Sequence, residues 1–485
     1  MLRPSHPLPR PLAEVLGEVA GLQVRGDLAG VLVTGCTHDS RAVQPGDLYA
    51  GLPGAHAHGA DFAAQAVAAG AVAVLTDQAG AERVDGVPVL VVDAPRSVLG
   101  EVASWVHGHP SQALLVLGVT GTNGKTTTAF LLEAGLRAAG HRTGLLGTVV
   151  TRIGDEAVPS TRTTPEATDL HALFATMVEQ DVTAVAMEVS SHALALGRVD
   201  GVRFDVAAFT NLSQDHLDFH ADMEDYFRAK ASLFTPARTD RGVVNGDDPF
   251  GQRLLADPLV PLVSFGTTGD WVVRDVELRT DGSAFRLVGP DADVTGDVRL
   301  PGEFNVSNAA AAVVSLVQAG VPVTAAVDGV AGLPGVPGRM ERVDEGQPFT
   351  ALVDYAHTPE AVQTLLRSVR EVTPGRVIVV LGCGGDRDRG KRPLMGRAAV
   401  EGADVAVLTS DNPRSEDPLA ILAEMGQPEA VHEVDRRKAI ALAVAMARPG
   451  DAVVVAGKGH ESGQEVDGVV TPFDDREVLR EVLSS

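Results

Sequence analysis

Short apolar runs separated by glycine, proline and polar segments divide the chain into three stretches. In the first, which extends to about residue 110, apolar runs lie at Val31–Thr34, Ala71–Leu75 and Val87–Val92. Each run has the length of a strand and is broken by glycine or proline, the residues that most often mark turns. The pattern predicts a small α/β domain over residues 1–110.

The second stretch opens with an unbroken apolar run, Ala113–Thr120. A run of this kind is typical of a parallel strand buried on both faces. After a glycine-rich loop, Thr126–Ala139 predicts a helix that ends at Gly140. Further strand candidates follow at Val182–Val189, Val206–Thr210 and Gly242–Asn245. Strands that alternate with helices predict a doubly wound, mostly parallel sheet, here over residues 111–337.

The third stretch follows Gly335–Arg339, a Gly/Pro-rich segment suited to a linker. Strand candidates separated by helical segments lie at Ala351–Tyr355, Arg376–Cys383, Asp404–Ser410 and Asp451–Ala456. This alternation predicts a second parallel sheet, in a Rossmann-like α/β domain over residues 338–485. The predicted fold class is therefore α/β with three domains.

Composition and charge exclude several classes of function but say little about the fold. With 40 basic and 64 acidic residues the formal net charge is −24, which repels nucleic acid and anionic membranes. Cys36 and Cys383 have no metal-like spacing, as expected in a reducing cytoplasm. No apolar run is long enough to cross a bilayer, and Met1–Leu16 lacks the apolar core of a signal peptide. We expect a cytoplasmic protein with neither nucleic-acid partners nor membrane insertion.

One glycine-rich loop carries a specific chemistry. Residues 118–126 fit the phosphate-loop pattern G-x-x-x-x-G-K-[ST], with Gly118, Gly124, Lys125 and Thr126 at the required positions. Glycines let backbone N–H groups surround a triphosphate, the lysine neutralises its β- and γ-phosphates, and the threonine hydroxyl ligates Mg²⁺. The loop lies between a buried-strand pattern and a helix, the context that this motif requires. Kinases, ATPases and ligases share it, so the loop predicts ATP binding and leaves the reaction open.

Two later residues are candidate metal ligands. Glu188 lies at the end of an apolar run, where ligand groups gather in open α/β sheets. It either holds Mg²⁺ opposite Thr126 or is a surface acid at a strand end. His216, in a segment rich in His and Asp, either contributes to a second Mg²⁺ site or caps a helix.

Eight motifs in a fixed order resemble those of the Mur ligase family, and the resemblance covers essentially the whole chain. They are Gly121–Thr127, Glu188–Leu194, Asn211–Asp218, Tyr226–Lys230, Asn305–Asn308, Asp354–Pro359, Gly384–Asp388 and Asp411–Arg414. Their joint occurrence is much more specific than any one of them. The similarity is greatest to the branch that adds the third amino acid of the cell-wall peptide.

The resemblance implies a reaction in peptidoglycan synthesis. ATP phosphorylates the D-Glu carboxylate of UDP-N-acetylmuramoyl-L-Ala-D-Glu, and the amine of a diamino acid then attacks the acyl phosphate. These small molecules are the implied partners, and a monomer is expected. The implied catalytic residues are Lys125, Glu188, His216 and Lys230. Thr126 and Glu188 would ligate one Mg²⁺, and His216 and Lys230 a second.

Lys230 needs a modification for that role, because an ammonium group cannot ligate a cation. In the family the matching lysine is carbamylated, which turns it into a carboxylate-like ligand. From the residues alone, without the resemblance, Lys230 would be interpreted as a surface residue.

The resemblance also implies three sets of binding residues. The ATP contacts are Gly121, Thr122, Asn123, Gly124, Lys125, Thr126, Thr127, Asn305, Asn308, Arg339 and Asp354. The UDP-sugar peptide contacts are His38, Ser40, Ala55, His56, Ala57, Thr163, Thr164, Ser190 and Arg198. The amino-acid contacts are Arg387, Asp411, Asn412, Pro413, Arg414, Gly457 and Glu461. One departure is Leu196, where some relatives carry a glutamine.

Arg414 bears on which diamino acid is added. Its guanidinium offers a planar fork for a carboxylate, and meso-2,6-diaminopimelate has a second carboxylate that lysine and ornithine lack. The sequence thus favours diaminopimelate. Two alternatives remain open: Arg414 pairs with Glu416 or Asp417 on the surface, or the amino acid that is added is lysine or ornithine.

Other functions remain as alternatives. Within the family, the alanyl-alanine-adding enzyme and folylpolyglutamate synthetase are disfavoured by the segments His38–Arg41, Gly384–Asp388 and Asp411–Arg414. From a different class, the chain could be a P-loop kinase or a nucleotide-binding sensor without catalysis.

Overall fold

The computed structural model describes residues 2–158 and 162–485, which form three large sheets. The first has five strands in the order β2-β7-β6-β5-β4, parallel except for the β2–β7 pair. Strands β1 and β3 form a separate two-stranded ribbon. The strands are β1 (Arg10–Pro11), β2 (Gln23–Arg25), β3 (Leu32–Val33), β4 (Gly35–Thr37), β5 (Asp47–Ala50), β6 (Ala73–Thr76) and β7 (Val89–Val91). The helices are α1 (Val15–Glu18), α2 (Ala63–Ala68), α3 (Gln78–Ala81) and α4 (Pro95–Val106).

The second sheet has eleven strands in the order β11-β10-β9-β12-β8-β13-β14-β15-β16-β17-β18. Neighbouring strands are parallel from β9 to β16 and antiparallel at both edges. The strands are β8 (Leu115–Thr120), β9 (Thr143–Leu146), β10 (Thr151–Ile153), β11 (Glu156–Val158), β12 (Ala184–Glu188), β13 (Phe204–Phe209), β14 (Thr239–Asn245), β15 (Leu262–Gly266), β16 (Trp271–Arg279), β17 (Gly282–Gly289) and β18 (Ala292–Val298). The helices are α5 (Lys125–Ala138), α6 (Ala167–Glu179), α7 (Ser191–Ala195), α8 (Met223–Ala231), α9 (Pro249–Ala256), α10 (Glu303–Gln318) and α11 (Val323–Gly332).

Apolar side chains cover both faces of this central sheet, as expected for strands without alternating polarity. On one face, Leu117 and Val119 of β8 pack with residues of α5 and α10. On the other, Val116 packs with Phe204 and with residues of α6. Gly118 lies directly over the Phe204 ring, where an added Cβ would be 2.7 Å from the nearest ring carbon. The small residue therefore lets a large aromatic ring fill the layer beside the phosphate loop.

The third sheet has six strands in the order β19-β20-β24-β21-β22-β23, parallel except for the edge strand β19. The strands are β19 (Glu341–Arg342), β20 (Thr350–Asp354), β21 (Val377–Cys383), β22 (Val405–Ser410), β23 (Val431–His432) and β24 (Ala452–Ala456), followed by the hairpin β25 (Gly463–Val466) and β26 (Val469–Pro472). The helices are α12 (Pro359–Val372), α13 (Arg392–Gly402), α14 (Pro418–Met425), α15 (Arg436–Met446) and α16 (Asp475–Leu483). Short 3₁₀ helices lie at Leu12–Glu14, Gly59–Phe62, Pro110–Ala113 and Arg389–Lys391.

The predicted fold class is confirmed, and most predicted elements lie within a few residues of the observed ones. The antiparallel strands β10–β11 and β16–β18 at the two edges of the central sheet were not predicted. The apolar run Val31–Thr34 contains β3, which pairs with β1 outside the five-stranded sheet. None of the described helices is both long and apolar enough to cross a membrane.

Candidate functional site

The phosphate loop connects β8 to α5, and two of its glycines cannot be replaced without a clash. Gly121 has φ +150°, and an added Cβ would lie 1.9 Å from the Thr210 hydroxyl. Gly124 has φ +86°, and its Cβ would lie 2.3 Å from the Asn308 side-chain oxygen. The loop is also held from outside, because the Asn123 N–H donates to Asn211 Oδ1 at 2.9 Å. These contacts fix the backbone whose N–H groups would surround a phosphate.

Lys125 folds back over its own loop. Its Nζ donates to the carbonyl oxygens of Gly121 and Thr122, both at 2.8 Å. Burial lowers the pKa of this lysine, and the nearby Glu188 carboxylate opposes that shift. The ammonium group is thus placed at the mouth of the loop, next to where a triphosphate would lie.

Glu188 ends β12 and is buried, so its interpretation as a surface acid is wrong. The Thr126 hydroxyl donates to Glu188 Oε2 at 3.0 Å. The Thr148 N–H donates to Glu188 Oε1 at 2.7 Å, and the Thr148 hydroxyl to Oε2 at 3.2 Å. Two oxygen donors from different elements therefore meet beside the phosphate loop, which suits the hard cation Mg²⁺. Thr148 was missed because an isolated threonine after a strand has no distinguishing pattern.

Lys230, on α8, lies 109 positions after Gly121 and donates to its carbonyl oxygen at 2.7 Å. The side chain is 1% exposed, and its Nζ lies 4.7 Å from the centre of the Tyr226 ring. The interpretation as a surface residue is therefore wrong. Burial, followed by repulsion from Lys125, holds the pKa of Lys230 well below its usual value.

His216 has a left-handed backbone conformation, with φ +54°. Its Nε2 is 3.5 Å from Asp215 Oδ2, and its ring meets the His192 ring edge-on at 4.7 Å. Burial lowers the pKa of His216 to about 4, although the Asp215 carboxylate opposes this. The following helix α8 is capped by Asp222, so His216 is not its cap.

The residues predicted to ligate metal ions differ in whether their side chains can do so without modification. Residues 2–158 and 162–485 contain no cluster of three or more His, Cys, Asp and Glu side chains arranged for a metal. The oxygens of Thr126 and Glu188 fit Mg²⁺ as they stand. Lys230 fits a metal only after its amine becomes a carbamate, because the unmodified group supplies no anionic oxygen.

A cavity of about 450 Å³ extends from the phosphate loop to the third sheet. Asn305 and Asn308, both on α10, line it together with Lys230, Arg339 and Asp354. Asn308 Nδ2 donates to Asn305 Oδ1 at 3.1 Å, and Asn305 Nδ2 donates to the Pro301 carbonyl at 2.8 Å. The two asparagines thus fix each other's amide orientation on the wall where adenine contacts were predicted.

Arg339 connects the third domain to the phosphate loop. Its Nη2 donates to the Thr126 hydroxyl at 3.2 Å, and its guanidinium lies 4.3 Å from the centre of the Tyr355 ring. Asp354, at the end of β20, accepts N–H groups from Met340 at 2.7 Å and Ala356 at 2.8 Å. Burial raises the pKa of Asp354, while Arg339 opposes the shift.

A larger cavity, of about 1150 Å³, lies between the first and second sheets. His38, Ser40 and Ala57 line it, whereas Ala55 and His56 are exposed outside its lining. His38 Nδ1 is 3.1 Å from the Thr168 hydroxyl on α6, so this histidine joins the two domains. The predicted UDP-sugar residues of the first domain are therefore only partly brought together.

Of the remaining predicted UDP-sugar residues, Thr163 and Ser190 line the cavity of about 450 Å³, whereas Thr164 and Arg198 line neither cavity. The Thr163 hydroxyl is 2.9 Å from that of Thr148, and the Thr164 hydroxyl donates to the Glu188 carbonyl at 2.9 Å. Ser190 Oγ caps α7 by accepting the Ala193 N–H at 3.2 Å.

Arg198 completes this group. Its Nε is 2.9 Å from Glu166 Oε1, and Arg96 and Arg162 also pair with this buried carboxylate at 3.4 Å. Glu166 was missed, because an acid next to Thr164-Pro165 has no motif of its own.

The predicted amino-acid residues, except Arg387, lie at or shortly after the carboxyl ends of β22 and β24. Asn412 Nδ2 donates to Glu461 Oε2 at 2.8 Å, and Gly457, with φ +111°, brings its backbone against Asp411. An added Cβ at Gly457 would be 2.9 Å from Asp411 Oδ2. Arg387 is exposed, with its side chain beside Gly384.

Arg414 does not pair with Glu416 or Asp417, so that alternative is wrong. Its Nη1 donates to the Gly385 carbonyl at 2.7 Å, and its Nε is 3.5 Å from Glu465 Oε2. Glu416 instead binds the buried Arg392 at 2.7 Å. The Pro413 carbonyl lies against Gly385, where an added Cβ would be 1.9 Å from it. The Asp411–Arg414 segment is thus packed directly on the loop that follows β21.

Three family models and several named proteins match this chain. Models described as the Mur ligase middle domain, the Mur ligase glutamate ligase domain and the Mur ligase family catalytic domain match residues 119–316, 338–459 and 32–106, respectively. A Streptomyces avermitilis protein named UDP-N-acetylmuramoyl-L-alanyl-D-glutamate–2,6-diaminopimelate ligase is 58% identical, with 99% of this chain and 98% of that protein covered. The chain belongs to the Mur ligase family.

A second relative and a solved structure also match this Mur ligase over nearly its whole length. A Leifsonia xyli protein named UDP-N-acetylmuramyl-tripeptide synthetase is 46% identical over 99% of this chain and 97% of its own length. A solved structure of a UDP-N-acetylmuramoyl-L-alanyl-D-glutamate–2,6-diaminopimelate ligase is 34% identical, with a TM-score of 0.69 and coverage of 95% and 97%. The similarity therefore extends over all three sheets of the chain.

Proposed function

We propose that this Mur ligase uses ATP and Mg²⁺ to join meso-2,6-diaminopimelate to the D-Glu carboxylate of UDP-N-acetylmuramoyl-L-Ala-D-Glu. The observation that carries the proposal is the meeting of Thr126, Glu188, Lys230 and Arg339 around one phosphate loop. The diaminopimelate assignment is supported by the name of the 58% identical relative and by the position of Arg414 beside Gly385.

Each domain has a role in this proposal. Residues 1–110 bind the UDP-sugar, residues 111–337 bind ATP, and residues 338–485 bind the amino acid. The ATP would lie in the cavity of about 450 Å³, with its adenine near Asn305 and Asn308. The peptide end of the UDP-sugar would lie near Thr163, Thr164 and Arg198. Of these, the Thr164 hydroxyl donates to the Glu188 carbonyl, and Arg198 donates to the Thr164 carbonyl at 3.5 Å.

The residues around the loop would stabilise a phosphoryl group in transfer to the D-Glu carboxylate. Lys125 and Arg339 supply positive charge, and in phosphoryl transfer positioning and charge stabilisation account for most of the catalysis. Thr126 and Glu188 would hold Mg²⁺, which would neutralise part of the phosphate charge. Arg339 and Asp354 belong to the third domain and line the cavity beside the phosphate loop. Closure of this domain over the loop would therefore also exclude water from a reactive acyl phosphate.

The test measures phosphate release with each substrate omitted in turn. A ligase releases ADP and phosphate only when the UDP-sugar peptide and the amino acid are both present. A kinase forms a stable phosphorylated product without the amino acid, and a nucleotide sensor binds ATP without turnover. Either of these results contradicts the proposal.

A second assay addresses the amino acid alone. Diaminopimelate, L-lysine and L-ornithine are supplied at equal concentration, and the products are separated by mass. Preferential incorporation of lysine or ornithine contradicts the diaminopimelate assignment and leaves the ligase assignment intact.

A further inference from the structure

Lys458 follows β24 and is one of the few fully buried lysines of the described chain, with 0% of the residue exposed. It has no part in the site as predicted from the sequence. An ammonium group removed from water is costly unless charged or polar partners surround it. The identity of those partners therefore indicates what the lysine is for.

Every hydrogen bond and ion pair of this ammonium group within the described residues goes to the predicted amino-acid site. Lys458 Nζ lies 3.1 Å from Asn412 Oδ1 and 3.1 Å from Glu461 Oε2. Asp411 Oδ1 is 3.9 Å away. The lysine is thus contacted by three residues, two that follow β22 and one that follows β24.

Lys458 also determines which way the Asn412 amide faces. The amide oxygen accepts from Lys458 Nζ and, at 3.0 Å, from the Glu465 N–H. With two donors on its oxygen, the amide directs its NH₂ group toward Glu461 Oε2, at 2.8 Å. Loss of the ammonium would remove one donor from Asn412 and one from Glu461 together.

The charges of the cluster match one ammonium group of a substrate. Asp411 and Glu461 are two carboxylates, and Lys458 compensates one of them. Glu461 keeps about a third of its side chain exposed, at 34%, whereas Lys458 is covered. The outward side of the cluster therefore carries one uncompensated negative charge, on the partly exposed Glu461. Arg414, two residues after Asn412 in the chain, would bind a carboxylate of the substrate.

We propose that Lys458 is a positioning residue for the diamino acid: directly and through Asn412 it orients the Glu461 carboxylate, which receives the substrate's ammonium group. This rests on the proposed function, because it assumes that the diamino acid binds between these side chains and Arg414. Lys458 itself does not touch the substrate; it acts through the two residues that it holds.

The experiment uses the full-length enzyme and compares Lys458→Gln and Lys458→Met with the unchanged protein. Glutamine keeps a donor without the charge, and methionine removes both. The matched control is Lys438→Gln, because Lys438 is exposed in the same domain and only pairs loosely with Asp435 at 3.8 Å. Separate KM values are measured for the amino acid, ATP and the UDP-sugar peptide, together with the thermal midpoint of each variant.

We expect the KM for diaminopimelate to rise about 10-fold in Lys458→Gln, the effect of losing one charged hydrogen bond. The KM values for ATP and the UDP-sugar peptide should change less than about twofold, since this cluster does not line either of the cavities proposed for them. In a Glu461→Gln background, Lys458→Gln should have a much smaller effect on the diaminopimelate KM, because the carboxylate that it orients is gone.

Three results would overturn the proposal. These are an unchanged KM for diaminopimelate, an equal rise of all three KM values, and failure of both variants to fold, which would make Lys458 a residue of the fold only. The proposed function is checked separately with the unchanged enzyme. If that enzyme prefers another diamino acid, the same KM comparison is made with the preferred one.

Discussion

The guanidinium of Arg339 donates to the hydroxyl of Thr126 across 3.2 Å, although 213 positions separate the two residues. Thr126 is the second residue of α5, at the end of the phosphate loop, whereas Arg339 ends the linker that leads into the third sheet. The third domain therefore contacts the phosphate loop in this structure. The Tyr355 ring, 4.3 Å from the guanidinium, keeps Arg339 in this direction.

Replacement of Arg339 by methionine should reduce kcat roughly 100-fold or more, because a positive charge next to the transferred phosphoryl group would be lost. The KM for ATP should rise less, since the phosphate loop still binds the triphosphate. Steady-state kinetics with ATP as the varied substrate measures both effects. Arg342→Met is the control, because Arg342 pairs only with Asp344 on the surface. A change in KM for ATP with kcat unchanged would contradict this role.

Lys230 offers a test of its proposed carbamate. Lys230→Ala should lower activity by roughly 100-fold or more if the modified side chain holds a metal ion. A short-chain carboxylic acid added to the variant should restore part of the activity, because its carboxylate would replace the missing carbamate. Lys438→Ala with the same acid is the control. If Lys230→Ala retains full activity, the carbamate role is wrong.

The residues that follow a strong local pattern were predictable, and those whose role depends on distant contacts were not. The phosphate loop stands out because glycine, lysine and threonine have fixed spacing between a strand and a helix. Lys230 belongs to an ordinary amphipathic segment, and only the resemblance to a family marked it. Its burial against Gly121 depends on how α8 packs against the phosphate loop, which no local pattern encodes.

The supporting residues illustrate the same limit. Thr148 binds Glu188, and Lys458 binds Asn412, across 40 and 46 positions of the chain. Neither residue type is rare, and neither has a motif of its own. The antiparallel strands at the edges of the central sheet were missed for a related reason, because their half-exposed residues give weaker apolar runs than the buried parallel strands.

Arg414 should decide between diaminopimelate and lysine. Arg414→Asn removes the guanidinium and keeps a residue that tolerates the left-handed backbone at this position, where φ is +54°. The kcat/KM for diaminopimelate should fall by about 10- to 100-fold, the value of one charged bidentate contact, and the small activity with L-lysine should stay nearly constant. Paired ligation assays measure the ratio, and Arg437→Asn, at an exposed surface pair with Glu481, is the control. An equal loss for both amino acids would indicate a structural role for Arg414 instead.

His171 should make the protein less stable in acid. It lies buried on α6, where its Nε2 is 2.9 Å from the Asp200 carbonyl and its Nδ1 is buried without a hydrogen-bond partner. Burial lowers the pKa of His171 to about 4, and the nearby His109 adds to the shift, whereas the Asp200 carbonyl opposes it. Because protonation at Nδ1 would leave a buried donor unpaired, the folded state strongly favours the neutral ring.

The sign of the effect follows from comparing the two states. The unfolded histidine binds a proton near pH 6.5, but the folded one does so only near pH 4, so the unfolded state gains protons first as the pH falls. The contribution of His171 to the free energy of unfolding is thus complete above pH 6.5 and decreases by about 1.4 kcal/mol per pH unit down to pH 4. His107 shifts in the same direction, its pKa lowered to about 3 by burial.

Urea unfolding of the unchanged protein and of His171→Gln, measured at several pH values between 4 and 7.5, tests this pH dependence. The variant should lose stability less steeply with acid, and parallel curves for the two proteins would assign the acid sensitivity to other groups.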